Sequence, residues 1–89
     1  MVRVRLSALM RLEADNQETV EVSGRTPVEC AGELAARFPR LKRLLYDKEG
    51  NLRPQVWFFV NGDKLFVEEL ERELSDGDEL FLVLALSGG

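Results

Sequence analysis

The sequence contains no histidine and a single cysteine, Cys30. Without histidine, a Ser-His or Cys-His nucleophilic pair and a histidine-bound zinc site are excluded. One cysteine cannot form an internal disulfide or supply the four thiolates of an iron–sulfur cluster. A GxxxxGK[ST] phosphate loop and a GxGxxG fingerprint are also missing, so the chain has no recognisable nucleotide-binding motif. The simplest interpretation of Cys30 is a half-buried structural residue.

The sequence is also short and mildly acidic. Its 89 residues are enough for one domain with a thin, two-layer core, and its hydrophobic content of 45% is ordinary for a soluble protein. The formal net charge of −4 disfavours nucleic acid and anionic membranes as partners. Because no apolar run approaches the ~18 residues of a membrane span and no signal peptide is visible, we expect a cytoplasmic protein.

The order of the periodic segments predicts an α+β fold. The predicted strands cover residues 2–9, 18–23, 55–60, 63–67 and 79–86. The main helix is expected to start with Thr26 as its N-cap, Pro27 in the first turn and Glu29 completing a capping box. It should end before Pro39, and a second short helical turn is expected within residues 39–47.

Turn signals support the same arrangement. Asn61-Gly62 is the strongest hairpin signal, and Asp15-Asn16 and residues 75–78 are the other predicted turns. A helix between the early and late strands would leave the first and last strands side by side and parallel. The predicted fold is therefore a ubiquitin-like β-grasp, with a mixed sheet of four to five strands packed on one main helix. We expect a single domain over residues 1–89.

The sequence finishes with two glycines, Gly88 and Gly89, and residues 87–89 are expected to form a flexible tail. A glycine pair has no side chain to obstruct a narrow channel, so it could enter another protein's active site and present the Gly89 carboxylate. That carboxylate is ionised at neutral pH and is a poor electrophile until it is joined to a leaving group such as AMP. Activation would therefore need a separate, ATP-using enzyme. The alternative is that the glycines are only a frayed end.

A second unusual feature is an apolar surplus on two predicted strands. Residues 56–60 and 80–84 are apolar at every position, although a sheet covered by one helix needs only one apolar face. If the even-numbered side chains meet the helix, the odd-numbered ones form an exposed cluster of the kind found at protein interfaces. The predicted partner-binding residues are Trp57, Phe59, Phe81, Val83, Leu86 and Ser87. The alternative is that Phe38, Leu41 or Leu44 covers this face as a second core.

Three segments resemble the MoaD/ThiS family of prokaryotic sulfur carriers: residues 58–62 (FFVNG), residues 74–80 (LSDGDEL) and Gly88-Gly89. The similarity covers essentially the whole chain. It implies that an E1-like enzyme adenylates Gly89, and that the adenylate is converted to a thiocarboxylate that donates its sulfur in biosynthesis. It also implies that Gly88 helps Gly89 to enter the partner's pocket.

The resemblance also implies a set of partners: the E1-like adenylating enzyme, a sulfur donor and a sulfur-accepting synthase subunit. It implies no bound cofactor or metal, with ATP used by the activating enzyme. The chain would be a carrier rather than an enzyme, or the small subunit of a molybdopterin-synthase-like enzyme. However, Leu84-Ala85-Leu86-Ser87 stands where many molybdopterin-related members carry a proline pair. Residues 40–54 resemble the branch with carriers for cysteine synthesis and archaeal modifiers.

Several functional alternatives remain open from the sequence. The leading function is a sulfur carrier for molybdopterin, cysteine or thiolated tRNA. The others are a protein modifier joined to lysines through Gly89 and a non-covalent interaction domain. In a carrier, Cys30 could also take part in sulfur relay or a thioester. Basic residues between 37 and 53 contrast with acidic residues between 68 and 79, which would either steer a partner or form a solvated surface.

Overall fold

The computed structural model describes residues 1–85, and the predicted tail from Leu86 to Gly89 lies outside the described residues. The elements, in chain order, are β1 (Val2–Leu6), α1 (Ala8–Leu12), β2 (Thr19–Val22), α2 (Pro27–Arg37), α3 (Pro39–Leu45), β3 (Val56–Val60), β4 (Asp63–Lys64), one 3-10 turn (Val67–Glu69) and β5 (Glu79–Leu84). In this part of the chain, five strands form one mixed sheet in the order β2-β1-β5-β3-β4. The prediction of an α+β, ubiquitin-like β-grasp fold is confirmed.

The centre of the sheet is the pairing of the first and last strands. β1 and β5 are parallel, with Val4 opposite Leu80, as the sequence predicts. β5 is antiparallel to β3 on its other side, with Phe58 opposite Leu82. β2 and β4 are the outer strands, each antiparallel to its neighbour. β5 is therefore held by hydrogen bonds along both edges.

Helix α2 starts and ends at the residues that the sequence indicates. The Thr26 hydroxyl accepts the Glu29 backbone N–H at 3.1 Å, which confirms the N-cap. The Glu29 carboxylate, however, accepts the N–H of Arg25 at 2.8 Å, one residue before the cap, so the reciprocal half of the capping box is shifted. α2 ends at Arg37 because Pro39 offers no N–H to continue it, and Pro39 instead starts α3.

The core lies between one face of the sheet and the helices α2 and α3. The even-numbered side chains of β3 and β5 are buried except Leu84, which is partly buried and packs against the core, and Leu34 of α2 and Leu41 of α3 are fully enclosed with them. Phe38 belongs to the same core, and Leu44 packs against it. Phe38, Leu41 and Leu44 are therefore used on the helix side of the sheet and do not form a second core on its other face.

The prediction for residues 7–17 is partly wrong. The first strand ends at Leu6 instead of residue 9, and Ala8–Leu12 forms the short helix α1 where a strand end and a connection were expected. The helical turn buries Met10 completely, which gives the short segment its place in the core. The segment is rich in residues that favour helices. The alternation of apolar and polar residues before it, however, suggested that the first strand continued to residue 9. Positive φ angles of 53° and 61° at Asp15 and Asn16 confirm the predicted turn.

The second hairpin is shorter than predicted. Asn61 and Gly62 both have positive φ, 50° and 92°, as a two-residue hairpin turn of type I′ requires. The returning strand is only Asp63–Lys64, although Leu65 still donates its N–H to the Phe58 carbonyl at 2.8 Å and buries its side chain; the 3-10 turn Val67–Glu69 follows closely. β5 is described to Leu84, whereas the prediction ran to residue 86.

Residues 1–85 include no helix with the length and apolar composition needed to cross a membrane.

Candidate partner-binding face and the end of the last strand

The face of the sheet opposite the helices carries the apolar cluster that the sequence predicts. Trp57 is 40% exposed, and Phe59, Phe81 and Val83 are half-buried, while the even-numbered side chains between them are in the core. The strand register places Trp57 opposite Val83 and Phe59 opposite Phe81. These four side chains therefore form one patch, which we call the outer face. The other two predicted members, Leu86 and Ser87, lie outside the described residues.

Two cations border the outer face, and sequence reasoning missed both. The Phe59 and Phe81 rings pack with centroids 6.2 Å apart, and the Arg5 guanidinium lies 5.4 Å from the Phe81 centroid. The Lys64 ammonium lies 3.7 Å from the centre of the Trp57 ring. Such cation–π contacts hold the long basic side chains against the aromatic surface. The outer face is thus an apolar centre with positive charge at its border.

Exposed apolar side chains extend this surface beyond β4. Phe66 is 64% exposed and Val67 is 82% exposed. Both line a small cavity of about 160 Å³ together with Trp57 and Lys64. The sequence analysis placed both residues at the end of the strand predicted over 63–67, so their exposure was not anticipated. Their apolar character just after the Asn61-Gly62 turn was the available signal.

The apolar cluster reaches the end of β5. The Ala85 N–H donates to the Gln55 carbonyl at 2.7 Å, so the pairing with the neighbouring chain segment extends one residue beyond the strand. Trp57 and Val83 are paired across β3 and β5, and each lies two residues along its own segment from the contact between Gln55 and Ala85. A chain of four residues can span at most roughly 14 Å when fully extended. Any site that receives Gly89 would therefore lie close to this end of the outer face.

Solved structures similar to this chain over nearly all its length were found. A chain from the BexX/CysO complex of Amycolatopsis orientalis is 29% identical, with a TM-score of 0.82 and 100% of both chains covered. Small archaeal modifier protein 1 from Methanosarcina acetivorans is 27% identical, with a TM-score of 0.85 and coverage of 99% and 95%. CysO from Mycobacterium tuberculosis is 26% identical, with a TM-score of 0.80 and coverage of 97% and 100%.

The chain has the ubiquitin-like β-grasp fold and is similar in structure to proteins of the MoaD/ThiS type. These structural neighbours are small sulfur-carrier or ubiquitin-like modifier proteins rather than enzymes. No profile of a protein family matches the sequence, and no curated protein matches it significantly. The similarity is therefore visible in the three-dimensional fold, with modest sequence identity spread along the chain.

Two of the segments that resemble the MoaD/ThiS family meet at the start of β5, at the opposite end of the strand from Ala85. The Asn61 side chain accepts the Glu79 N–H at 3.0 Å and donates to the Asp78 carboxylate at 3.1 Å. Asp78 also accepts the Ser75 N–H at 2.8 Å. The bond from Ser75, followed by the one from Asn61, lowers the pKa of Asp78. These residues join the second hairpin to the turn before β5, so their role is structural.

Cys30 is more deeply buried than the sequence predicted. It is fully enclosed rather than half-buried, and its thiol donates to the Gly24 carbonyl at 3.6 Å. Burial, reinforced by the carboxylates of Glu33 and Glu29, raises its pKa to about 11. A thiol in this state is protonated and inaccessible, which supports a structural role over sulfur relay.

Residues 1–85 contain no cluster of side chains suited to a metal ion.

Proposed function

We propose that this chain is a sulfur carrier whose working group is the Gly89 carboxylate. The observation that carries the proposal is the similarity to CysO and small archaeal modifier chains over the whole length of the fold. The position of β5 supports it, because the strand is fixed through Ala85 and Gly88-Gly89 follow within a few residues. The proposal requires that Gly89 carries the free carboxylate.

The proposed chemistry takes place in a partner enzyme in the cytoplasm. The Gly89 carboxylate attacks the α-phosphorus of ATP, pyrophosphate leaves, and an acyl adenylate remains. Hydrosulfide supplied by the sulfur donor then attacks the carbonyl carbon, expels AMP and loses its proton, which leaves a thiocarboxylate. The carrier binds no cofactor, since ATP belongs to the E1-like enzyme. The candidate acceptors are the synthases for molybdopterin, cysteine or thiolated tRNA.

We further propose that the outer face binds these partners. A partner that encloses Gly88 and Gly89 must approach within about 14 Å of Ala85, given the reach of the intervening residues. Trp57 and Val83 are the apolar side chains of the outer face nearest to that point. Aromatic side chains in such a position are the preferred anchors of protein interfaces. The positive charge of Lys64 favours a partner with an apolar centre and an acidic group beside it, whereas the charge of Arg5 is shared with Glu18 at 3.9 Å.

The test is to incubate the purified chain with its cognate E1-like enzyme, ATP and sulfide, and to measure its intact mass. The expected product is heavier by the difference between sulfur and oxygen, and fragmentation places that difference on Gly89. A variant with one alanine added after Gly89 is the matched control and should fold normally without reacting. Absence of both the thiocarboxylate and a hydroxylamine-sensitive adenylate would refute the covalent chemistry and leave a non-covalent interaction domain.

The second candidate function is protein modification. It is favoured by the similarity to small archaeal modifier protein 1, which is named for that role. Activation is the same, but a lysine amine of a target protein attacks the Gly89 carbonyl and forms an isopeptide bond. Denaturing gels of cells that express a tagged chain separate the two functions. A series of high-mass conjugates that disappears when Gly89 is deleted would favour the modifier over the carrier.

A further inference from the structure

A groove lies on the helix side of the sheet, away from the outer face, between α2, α3 and the loop that follows α3. It comprises two adjoining cavities of about 390 and 510 Å³ that share Lys42, Tyr46 and Gly50. One wall consists of small residues of α2: Gly32, Ala35 and Ala36. The opposite rim consists of basic side chains: Lys42, Arg43, Lys48 and Arg53. An apolar floor beside a basic rim is unusual on a chain with a net charge of −4.

The basic rim carries an excess of positive charge. In the part of the chain that is described, none of these four cations forms an ion pair, whereas Arg25, Arg37 and Arg72 each do. Asp47 lies in the groove, but its carboxylate accepts the N–H groups of Glu49 and Asn51 at 3.0 and 2.9 Å within its own loop. The segment 42–53 carries four positive charges against the two negative charges of Asp47 and Glu49. The rim is therefore available to a negatively charged ligand.

The loop that carries the rim is held in one conformation. The Asp47 N–H donates to the Asn51 carbonyl at 2.8 Å, and the Arg53 N–H donates to the Leu45 carbonyl at 2.8 Å. Gly50 makes the tight turn with a φ of +86°. The Arg53 side chain is fixed as well, since its Nε donates to the Arg43 carbonyl at 3.1 Å. A binding partner would meet a preorganised loop backbone and one fixed guanidinium, that of Arg53, and would lose little affinity to ordering them.

The floor of the groove offers one hydroxyl among apolar atoms. Tyr46 lies across α2 so that a Cβ added at Gly32 would be 3.8 Å from its oxygen. Within residues 1–85, this hydroxyl has no hydrogen-bond partner, and burial of the side chain raises its pKa. Ala36 is exposed beside it. The floor therefore suits small aliphatic side chains, with a single hydrogen-bond donor for a polar group.

We propose that this groove docks an acidic segment of a protein partner. Carboxylates of the segment pair with the basic rim, and its aliphatic side chains contact Ala36 and Tyr46. A nucleic acid is a poorer fit, because its continuous phosphate backbone would run beyond the groove onto an acidic chain. The inference does not depend on the sulfur chemistry. The partner can approach while the outer face is occupied, because the groove lies on the other side of the sheet.

The first experiment uses two synthetic peptides, one of repeated Glu-Glu-Ala-Leu and one in which glutamine replaces each glutamate. Each is titrated into the isotope-labelled full-length chain and followed by NMR. The glutamate peptide should perturb amides of α2, α3 and the 46–53 loop, and should bind about tenfold more tightly than its uncharged match. Its affinity should fall as salt is raised. Equal binding of both peptides, or perturbation of the outer face instead, would overturn the proposal.

Three variants test whether the glutamate peptide binds in the groove or is attracted only by an excess of positive charge. Lys42→Glu combined with Lys48→Glu should weaken binding of the glutamate peptide about tenfold. The matched control, Arg3→Glu combined with Arg72→Glu, makes the same change in net charge and should alter the affinity less than about twofold. Thermal unfolding checks that each variant is folded.

The third variant, Ala36→Arg, is decisive because it adds a positive charge while filling the groove. Docking predicts weaker binding, whereas a charge effect alone predicts stronger binding and would refute the groove. Tighter binding of a single-stranded RNA than of the glutamate peptide at the same residues would also refute the proposal, since it would identify a different class of partner.

Discussion

Cys30 is the only thiol of a chain proposed to carry sulfur, and its burial keeps it out of that chemistry. The folded environment favours the protonated form, with a pKa of about 11 in place of 9.0. At neutral pH the thiolate, which is the nucleophilic species, is therefore rarer than in an unfolded chain. The sequence could indicate a structural cysteine from its position on the flank of a helical stripe. It could not indicate complete burial, which depends on the approach of Gly24 from the preceding connection.

The raised pKa of Cys30 predicts a loss of stability at high pH. Below pH 9 the thiol is protonated in both the folded and the unfolded chain, and its full contribution to the free energy of unfolding is present. Between pH 9 and 11 the unfolded chain releases a proton that the folded chain retains, so the free energy of unfolding falls by up to about 1.4 kcal/mol per pH unit. Urea unfolding at pH 8 and pH 10.5 measures this loss.

Cys30→Ala is the control for that prediction. It should be less stable at pH 8, because it leaves a small cavity, but its stability should depend less on pH. Some dependence should remain, since burial also raises the pKa of Tyr46. An unchanged pH dependence in Cys30→Ala would show that the thiol does not titrate as its burial implies.

The connection between β2 and α2 passes very close to the backbone of α2 at Gly24. A Cβ at Gly24 would lie 2.8 Å from the backbone nitrogen of Cys30 and 3.0 Å from the carbonyl carbon of Glu29. Both atoms belong to the first turn of α2, which is fixed by its cap at Thr26. Neither can move away as the end of a flexible side chain could. Glycine is therefore needed here for close approach of two backbone segments.

Gly24→Ala should lower the free energy of unfolding by about 1–3 kcal/mol, because the helix and the connection must separate. Gly32→Ala is the matched control, since Gly32 is exposed on the same helix and its added Cβ would meet only the Tyr46 hydroxyl at 3.8 Å. That change should be neutral or stabilising by up to about 1 kcal/mol, because alanine is the better helix former. Chemical denaturation measures the free energy of unfolding of both variants. Equal changes in the two would contradict the assigned role of Gly24.

Elements with strong local signals could be predicted, and elements that depend on distant contacts could not. Thr26 and Pro39 defined both ends of α2, and Asn61-Gly62 defined the second hairpin, because caps and turns are local. α1 was missed because its helix-forming residues follow an alternating strand pattern, and the burial of Met10 that fixes the helical turn is a tertiary contact. β4 was predicted too long because Phe66 and Val67 read as a continued strand, whereas the Phe66 N–H donates to the Glu69 carboxylate at the start of the 3-10 turn.

The whole molecule presents two different surfaces on the two sides of its sheet. The apolar side chains of the outer face could be predicted, since alternation along β3 and β5 fixes which residues point away from α2. The cations at its border could not, because Arg5 reaches Phe81 through a parallel pairing of residues far apart in the sequence. The positive charge between residues 37 and 53 could be predicted, but the groove could not, since it forms only where α3 and the following loop lie beside α2. Both surfaces emerge only when the sheet and helices are assembled.

Trp57 and Phe58 are neighbours that should separate binding from stability. Trp57 is 40% exposed on the outer face, whereas Phe58 is 2% exposed in the core. Trp57→Ala should weaken binding of the cognate E1-like enzyme by at least about tenfold, as loss of an interface anchor does, and should lower stability by only about 1 kcal/mol. Phe58→Ala should lower stability by about 3–5 kcal/mol through loss of core packing.

Calorimetric titration with the enzyme and urea unfolding measure the two effects independently. The affinity of the folded fraction of Phe58→Ala should stay near that of the unchanged chain, since the outer face keeps its composition. If Trp57→Ala instead bound the enzyme normally, the outer face would not be the docking surface. If it lost stability as severely as Phe58→Ala, Trp57 would act as a core residue, because an interface anchor contributes its packing only when the partner is bound.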